Sequence, residues 1–208
     1  MSLSAGDGTP IRIKVPLKKT VEPPAESFAP EILPIIREGQ EHDAWCYAAT
    51  TAMVINFCHP GNTVRQCEIA AFVKTPPGDT LECCQTLGSQ CAVAGCVLSD
   101  FTKIFSEFKV KFEDSGNPDD PVIGQVSSTK LKSEISTHQH PVMVIVDWTD
   151  QIGSHALLIT GIEEDESRVF IIDPLEGEPL GGLLNFNALE NGFGHAKWVK
   201  TFPGLEPA

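Results

Sequence analysis

The chain has no apolar run near the roughly 18 residues that a membrane-spanning helix needs. Runs such as Val142 to Val146 have the length of a strand, so no membrane partner is expected. Nothing in the opening MSLSAGDGTPIRIKVPLKK joins a basic head to an apolar segment, so no Sec signal peptide is expected. Basic residues are scarce: 15 Lys+Arg against 28 Asp+Glu give a net charge of −13. A surface of that sign repels phosphate backbones and argues against nucleic-acid binding. There is no internal repeat and no phosphate-binding glycine loop. Only Cys91 and Cys96 fall at the C-x2–4-C spacing that zinc sites use, and with no second such pair a zinc site is disfavoured.

What is present suits a folded chain. The 208 residues are 41% hydrophobic and 21% charged, enough for one large domain, or one domain with a small appendage. Sixteen prolines and seventeen glycines point to many turns. Residues 1–40 carry five basic and five acidic side chains, so the whole net charge lies in the main body. A solubilising surface accounts for it, and nothing specific supports steering of a cationic substrate. A monomer is expected.

Residues 1–30 read as a proline-rich arm. Ile11, Ile13, Val15 and Leu17 alternate as in an edge strand, and Glu22-Pro23-Pro24-Ala25-Glu26-Ser27 is a stiff linker. Residues 31–208 read as the domain. Ala44–Phe57 has no glycine or proline and predicts a helix capped by Asp43. Thr63-Val64-Arg65-Gln66 has the form of a capping box and opens a second helix through about Val73. Residues 75–97 read as a loop held by four cysteines. Ser99 caps a third helix, whose Phe101, Ile104, Phe105 and Phe108 form a core stripe.

The period then changes. Lys109–Glu113 alternates as a strand, and 129–137 is a short helix stopped by His140-Pro141. Val142–Trp148, His155–Ile162, Arg168–Ile172 and Lys197–Phe202 read as strands. The acidic turn Glu163–Glu166 makes the middle two a hairpin. Helices first and antiparallel strands after them define an α+β class.

Seven cysteines leave three readings: disulfides, reduced thiols or a metal site. Disulfides are favoured, with up to three bonds and one free thiol. Fifteen pairings of Cys58, Cys67, Cys83, Cys84, Cys91 and Cys96 exist, and twelve remain without the vicinal Cys83–Cys84 bond. Disulfides imply an oxidising place of work. Together with the missing leader, they favour export by a non-Sec route over permanent cytoplasmic residence.

Cys46 stands in the first turn of the first helix. The helix dipole and the unpaired N–H groups there favour a thiolate. The bland alternative is a small buried core residue. Gln40, six residues upstream, can donate to the oxyanion that a thiolate creates on an amide carbonyl. His155 follows the Gly153-Ser154 turn at the head of an apolar strand and suits a general base. Asp173 comes eighteen residues later, at the far end of the next strand and before Pro174. A hairpin sets the start of one strand against the end of the other, so Asp173 can orient the imidazole. The alternatives are a core histidine, a turn aspartate and a surface glutamine.

In combination, Gln40-Glu41-His42-Asp43-Ala44-Trp45-Cys46-Tyr47-Ala48-Ala49, Gly153-Ser154-His155 and Asp173-Pro174 resemble papain-like cysteine peptidases. The likeness is strongest to the bacterial branch that includes type III effector proteases and the peptidase domains of bacteriocin exporters. It spans about residues 35–202 and departs at Tyr47, where the effector branch usually has tryptophan, and at Ser154, where a second glycine or other small residue is common. The resemblance implies a papain-like α+β fold, with Cys46 as nucleophile, His155 as base, Asp173 as orienter and Gln40 as oxyanion-hole donor. It implies a protein or peptide substrate and no metal or organic cofactor.

Two other outcomes stay open. The same triad serves a deamidase or acyltransferase, and the scaffold serves a catalytically silent, disulfide-stapled binding module. His138 and His140 read as loop histidines for want of further metal ligands. His42 reads as a surface residue, and His59 and His195 sit in turns.

Overall fold

The computed structural model describes residues 31–208 other than 76–78, 80–81, 86–90, 92–94, 118–119, 150–152, 176–181 and 195. The arm expected over residues 1–30, its edge strand and linker, and His195 lie outside the described residues.

Three helices come first: α1 (Cys46–Cys58), α2 (Gln66–Lys74) and α3 (Leu98–Glu107). Of the later strands, β3 (Val142–Trp148), β4 (Ser154–Ile162), β5 (Arg168–Ile172), β6 (Gly182–Asn185) and β7 (Ala196–Phe202) form an antiparallel sheet in the order β6-β5-β4-β3-β7. A short β1 (Glu31–Ile32) pairs with the far end of β4. Gly161 admits that crossing, because a Cβ there would stand 2.8 Å from the Glu31 carbonyl oxygen. A two-residue β2 (Val110–Lys111) pairs with β8 (Glu206–Pro207) near the C-terminus.

The sheet is covered on both faces, which is why β3 reads as an unbroken apolar run and not as an alternating strand. Met143 and Ile145 join the core formed by α1, α2 and α3, while Val142, Val144 and Val146 point into the opposite core. The second core takes Leu131 and Ile135 from α4 (Ser128–Lys132) and its π-helical extension Ser133–His138, and Phe186 and Leu189 from α5 (Phe186–Glu190). Phe101, Phe105, Phe112 and Phe202 interlock in the first core, with ring centroids 5.2–6.0 Å apart. Helices packed on an antiparallel sheet make this an α+β architecture, as the order of elements in the sequence predicts.

Helix starts depart from the simple capping pattern. Trp45, not Asp43, is the residue before α1, and no side chain caps it. At α2 the Glu68 carboxylate accepts the Arg65 N–H at 2.9 Å, so the helix starts after Arg65 and not at Thr63. At α3 Asp100 accepts the Val97 N–H at 3.0 Å, which moves the start ahead of Ser99. In both cases an acidic side chain three residues in holds the residue before the helix.

The described bridges are Cys67–Cys84 and Cys83–Cys91. Cys46, Cys58 and Cys96 are free thiols, so the three-bridge arrangement is corrected to two. The vicinal pair splits: Cys84 reaches back to α2 and Cys83 reaches forward to Cys91. Cys58 is enclosed against the Leu205 carbonyl, and burial pushes its thiol up to about 11.

Candidate active site

The turn before α1 decides where Cys46 sits. The Trp45 N–H donates to the His42 carbonyl at 2.9 Å, and the Trp45 indole N–H donates to the Cys91 carbonyl at 2.8 Å inside the core. His42 meets Trp45 edge-on with centroids 4.3 Å apart, so its ring packs on the turn. Cys46 is then the first helical residue, half-buried and with a free thiol. The helix behind it is buried from Tyr47 through Ile55, as expected of a central helix. The hydroxyls of Thr50 and Thr51 turn inward onto the Cys46 and Tyr47 carbonyls at 2.7 and 2.6 Å.

His155 is delivered by the sheet. Gly153, at φ +125°, makes the turn that a residue with a Cβ would strain to make. The imidazole is 4% exposed and stacks on Trp148 from the paired strand, with centroids 5.7 Å apart and planes at 23°. Its Nε2–H donates to Asp173 Oδ1 at 2.7 Å. The same oxygen accepts the Leu175 N–H at 2.8 Å, which fixes the carboxylate. With Nε2 committed, Nδ1 is the nitrogen left to face Cys46.

The surroundings act on the His155 charge in opposite directions. Burial disfavours the imidazolium, but the hydrogen bonds to Asp173 and Cys46 and the charges of both outweigh it, and the pKa is pushed up to about 9. The raised value has a definite sign. A group held above its ordinary 6.5 adds stability that is complete below that pH and is lost as pH rises through about 9. The melting temperature of the wild-type chain is therefore expected to fall more steeply than that of His155→Gln between pH 6.5 and 9. Differential scanning calorimetry across that range measures it, and parallel curves would contradict the assignment.

Gln40 is 6% exposed, and its backbone N–H donates to the Pro174 carbonyl at 2.7 Å. One segment, Asp173-Pro174-Leu175, thus ties the imidazole to the segment that leads into α1. Both Gln40 amide hydrogens go to backbone carbonyls, those of His42 and Asp43, each at 2.9 Å. Its Oε1 is buried without a partner. Gln40 therefore stands beside the approach to Cys46 and shapes the turn that presents it.

Two contributors were not legible as such. Gln66 matches the last position of a capping box, yet its side chain clamps the Gln40 segment from both sides. It accepts the Glu41 N–H at 3.0 Å and donates to the Gly39 carbonyl at 2.8 Å. Trp148 reads as the end of a strand, and only strand pairing shows that it plates the imidazole.

Cys46 and His155 line one cleft of about 480 Å³, walled by Tyr47, Cys96, Phe101, Ile145, Trp148 and Leu175. The other histidines lie elsewhere. His138 and His140 stack on each other with centroids 5.7 Å apart, and His140 also faces Glu134 and Glu206. His59 Nε2 lies 3.0 Å from the Lys109 carbonyl. Among the described residues no group of three or more His, Cys, Asp or Glu is arranged to hold a metal ion. No helix among them is long and apolar enough to cross a membrane.

A half-buried thiol at the head of a central helix, sharing a cleft with an imidazole from an antiparallel sheet, defines a cysteine peptidase of the papain-like class. Residues 32–191 match the family described as papain-like cysteine protease AvrRpt2, and the chain belongs to that family. No curated protein matches the chain.

Proposed function

We propose that the protein hydrolyses peptide bonds through a thioester formed on Cys46. The observation that carries this reading is the free Cys46 thiol sharing its cleft with an imidazole that Asp173 holds at 2.7 Å. The proton of the Cys46 thiol passes to His155. The sulfur attacks the scissile carbonyl, and its electron pair forms the C–S bond. The resulting oxyanion is met by the backbone N–H of Cys46 and by Gln40, which exchanges one of its two carbonyl contacts for the substrate oxygen. The His155 imidazolium then protonates the leaving amine. Water, deprotonated by His155, attacks the thioester carbonyl; the C–S bond then breaks, the acid is released, and the proton on His155 is available again to the Cys46 sulfur. Asp173 keeps the ring in place and stabilises its charged form.

A silent binding module is disfavoured, because Cys46 is outside both disulfides and His155 faces it. The two disulfides support work in an oxidising compartment, and the family is consistent with a bacterial effector or a processing protease. A single domain over residues 31–208, acting as a monomer on a protein or peptide, completes the reading.

The test is product analysis. A mixed peptide pool is incubated with the protein in the presence of a primary amine, and products are read by mass spectrometry. Hydrolysis predicts new carboxyl termini. Amine adducts or a +1 Da change at glutamine, without chain cleavage, would replace the peptidase reading by acyl transfer or deamidation.

A further inference from the structure

Gln66 is the first residue of α2 and is 2% exposed. Glutamine is mostly a surface residue, and a buried one is held by its hydrogen bonds. Here the bonds run to the segment that leads into α1. The Gln66 Oε1 accepts the Glu41 N–H at 3.0 Å, and its Nε2 donates to the Gly39 carbonyl at 2.8 Å. The Gln40 N–H between them donates to the Pro174 carbonyl at 2.7 Å. Residues 39, 40 and 41 are thus each fixed by a backbone group. Gln66 in turn is tied to the helix that carries Cys46. Asn56 of α1 grips Val64, just ahead of Gln66, through its N–H at 2.7 Å and its carbonyl at 3.1 Å. The Gln40 side chain is held less completely. Its nitrogen bonds the His42 and Asp43 carbonyls, and its Oε1 has no partner. The backbone of Gln40 is pinned, while its amide can trade one carbonyl for a substrate oxygen by rotating about side-chain bonds.

We propose that Gln66 is a positioning residue for the oxyanion: it sets where the Gln40 amide reaches, and it does not act on the Cys46 sulfur. The inference rests on the peptidase reading and names the residue through which α2 places the donor of that reaction. Donors aimed beforehand at the oxyanion need no reorganisation as charge develops, and a misplacement of about 1 Å can cost about 100-fold in rate. The turn that presents Cys46 has its own bonds, those of Trp45 to the His42 and Cys91 carbonyls. Loosening Gln66 therefore disturbs the donor and leaves the sulfur in place.

The experiment separates the two by chemistry. A set of N-acetyl dipeptide aldehydes is titrated into the full chain by calorimetry. The Cys46 sulfur adds to the aldehyde carbon, the carbonyl π pair moves to oxygen, and the thiol proton ends on that oxygen. The adduct holds its oxygen where the oxyanion of hydrolysis forms. Iodoacetamide instead alkylates the same sulfur with loss of iodide and makes no oxyanion. Both reactions, and kcat and KM on a cleaved peptide, are measured for wild type, Gln66→Met, Gln66→Glu, Gln40→Ala and the double variant Gln40→Ala, Gln66→Met. Methionine keeps the length and removes both bonds. Glutamate keeps an acceptor for Glu41 and loses the donor to Gly39.

Gln66→Met is expected to weaken aldehyde binding and lower kcat by about 10-fold or more, with KM and the alkylation rate of Cys46 changed by less than about twofold. Gln66→Glu should fall between it and the wild type. In the Gln40→Ala background Gln66→Met should cost little more, since a residue that acts through another is not additive with it. Losses that multiply in the double variant overturn the proposal, as does unchanged aldehyde binding. Alkylation that slows in step with aldehyde binding assigns Gln66 a structural role instead. Circular dichroism checks each fold, and if Gln66→Met does not fold, Gln66→Glu replaces it in the cycle under the same criteria. If the wild type binds aldehydes with this pattern but cleaves no peptide, the peptidase reading fails and the positioning role stands. If it cleaves peptides and the Gln66 variants lose nothing, the reverse holds. A wild type that neither binds aldehydes nor cleaves overturns both.

Discussion

Replacing Cys46 by Ala is expected to lower kcat/KM on a cleaved peptide by about 10⁵–10⁶-fold, and His155→Ala by about as much. Groups that act as one unit lose nearly everything when either is removed, as in the serine triads where such losses are measured. The geometry supports treating them as a unit, because each has its other contacts settled. Cys46 is placed by the Trp45 turn, and His155 Nε2 is occupied by Asp173 at 2.7 Å. Asp173→Asn should cost less, about 10²–10⁴-fold, since it disturbs the orientation of the ring and leaves both reacting groups in place. Far-UV circular dichroism of the Cys46 variant should match the wild type, because the thiol is only half-buried. Steady-state kinetics on any peptide found by product analysis measures the set. A Cys46→Ala protein retaining a tenth of wild-type activity would contradict the account.

The second large effect is expected from the disulfides. The Cys67–Cys84 bridge spans 17 residues, a loop whose closure stabilises by about 3 kcal/mol in the chain-entropy description. For a domain of this size that corresponds to a fall in Tm of about 6–12 °C on replacing both cysteines by Ser. The Cys83–Cys91 bridge is shorter and acts more locally. The Cys91 carbonyl accepts the Trp45 indole N–H, and Trp45 is the residue before Cys46. Opening that bridge therefore loosens the turn that presents Cys46. The paired Cys83→Ser, Cys91→Ser variant is expected to lose activity out of proportion to its loss of stability. Calorimetry and kinetics on the same samples separate the two. A Tm unmoved by a reductant, with activity intact, would show that neither bridge contributes.

This coupling bears on what was legible beforehand. The α1 segment stood out because residues 44–57 lack glycine and proline, but its first residue did not. The start moved to Cys46 because the chain before it turns, with Trp45 held by His42 and by a distant carbonyl. The acidic turn at Glu163–Glu166 marked the β4–β5 hairpin, and antiparallel pairing of those strands brings Asp173 within reach of His155. The short strands β1, β6 and β8 were not foreseen. They have two to four residues each, too few to show a period, and exist by pairing with longer partners. The π-helical turn at Ser133–His138 looks like ordinary helix in the sequence, for the α and π forms share the same apolar positions over so short a span. Gln66 and Trp148 are invisible as contributors in the sequence for a common reason. Each takes its meaning from a neighbour far away in sequence.

The geometry also explains why the free cysteines differ. Cys58 is enclosed under the C-terminal segment, and burial pushes its thiol upward. Cys96 is raised further by burial, and next by the Cys46 charge. Neither has an imidazole assigned to take its proton.

The central claim is that His155 activates the Cys46 sulfur, and alkylation rates test it most directly. The chain is treated with iodoacetamide at pH 6, and each free cysteine is followed by mass spectrometry in wild type and in His155→Ala. The account predicts that Cys46 is modified well ahead of Cys58 and Cys96, and that His155→Ala removes this lead. Modification of Cys46 at the rate of an ordinary thiol, indifferent to His155, would contradict it.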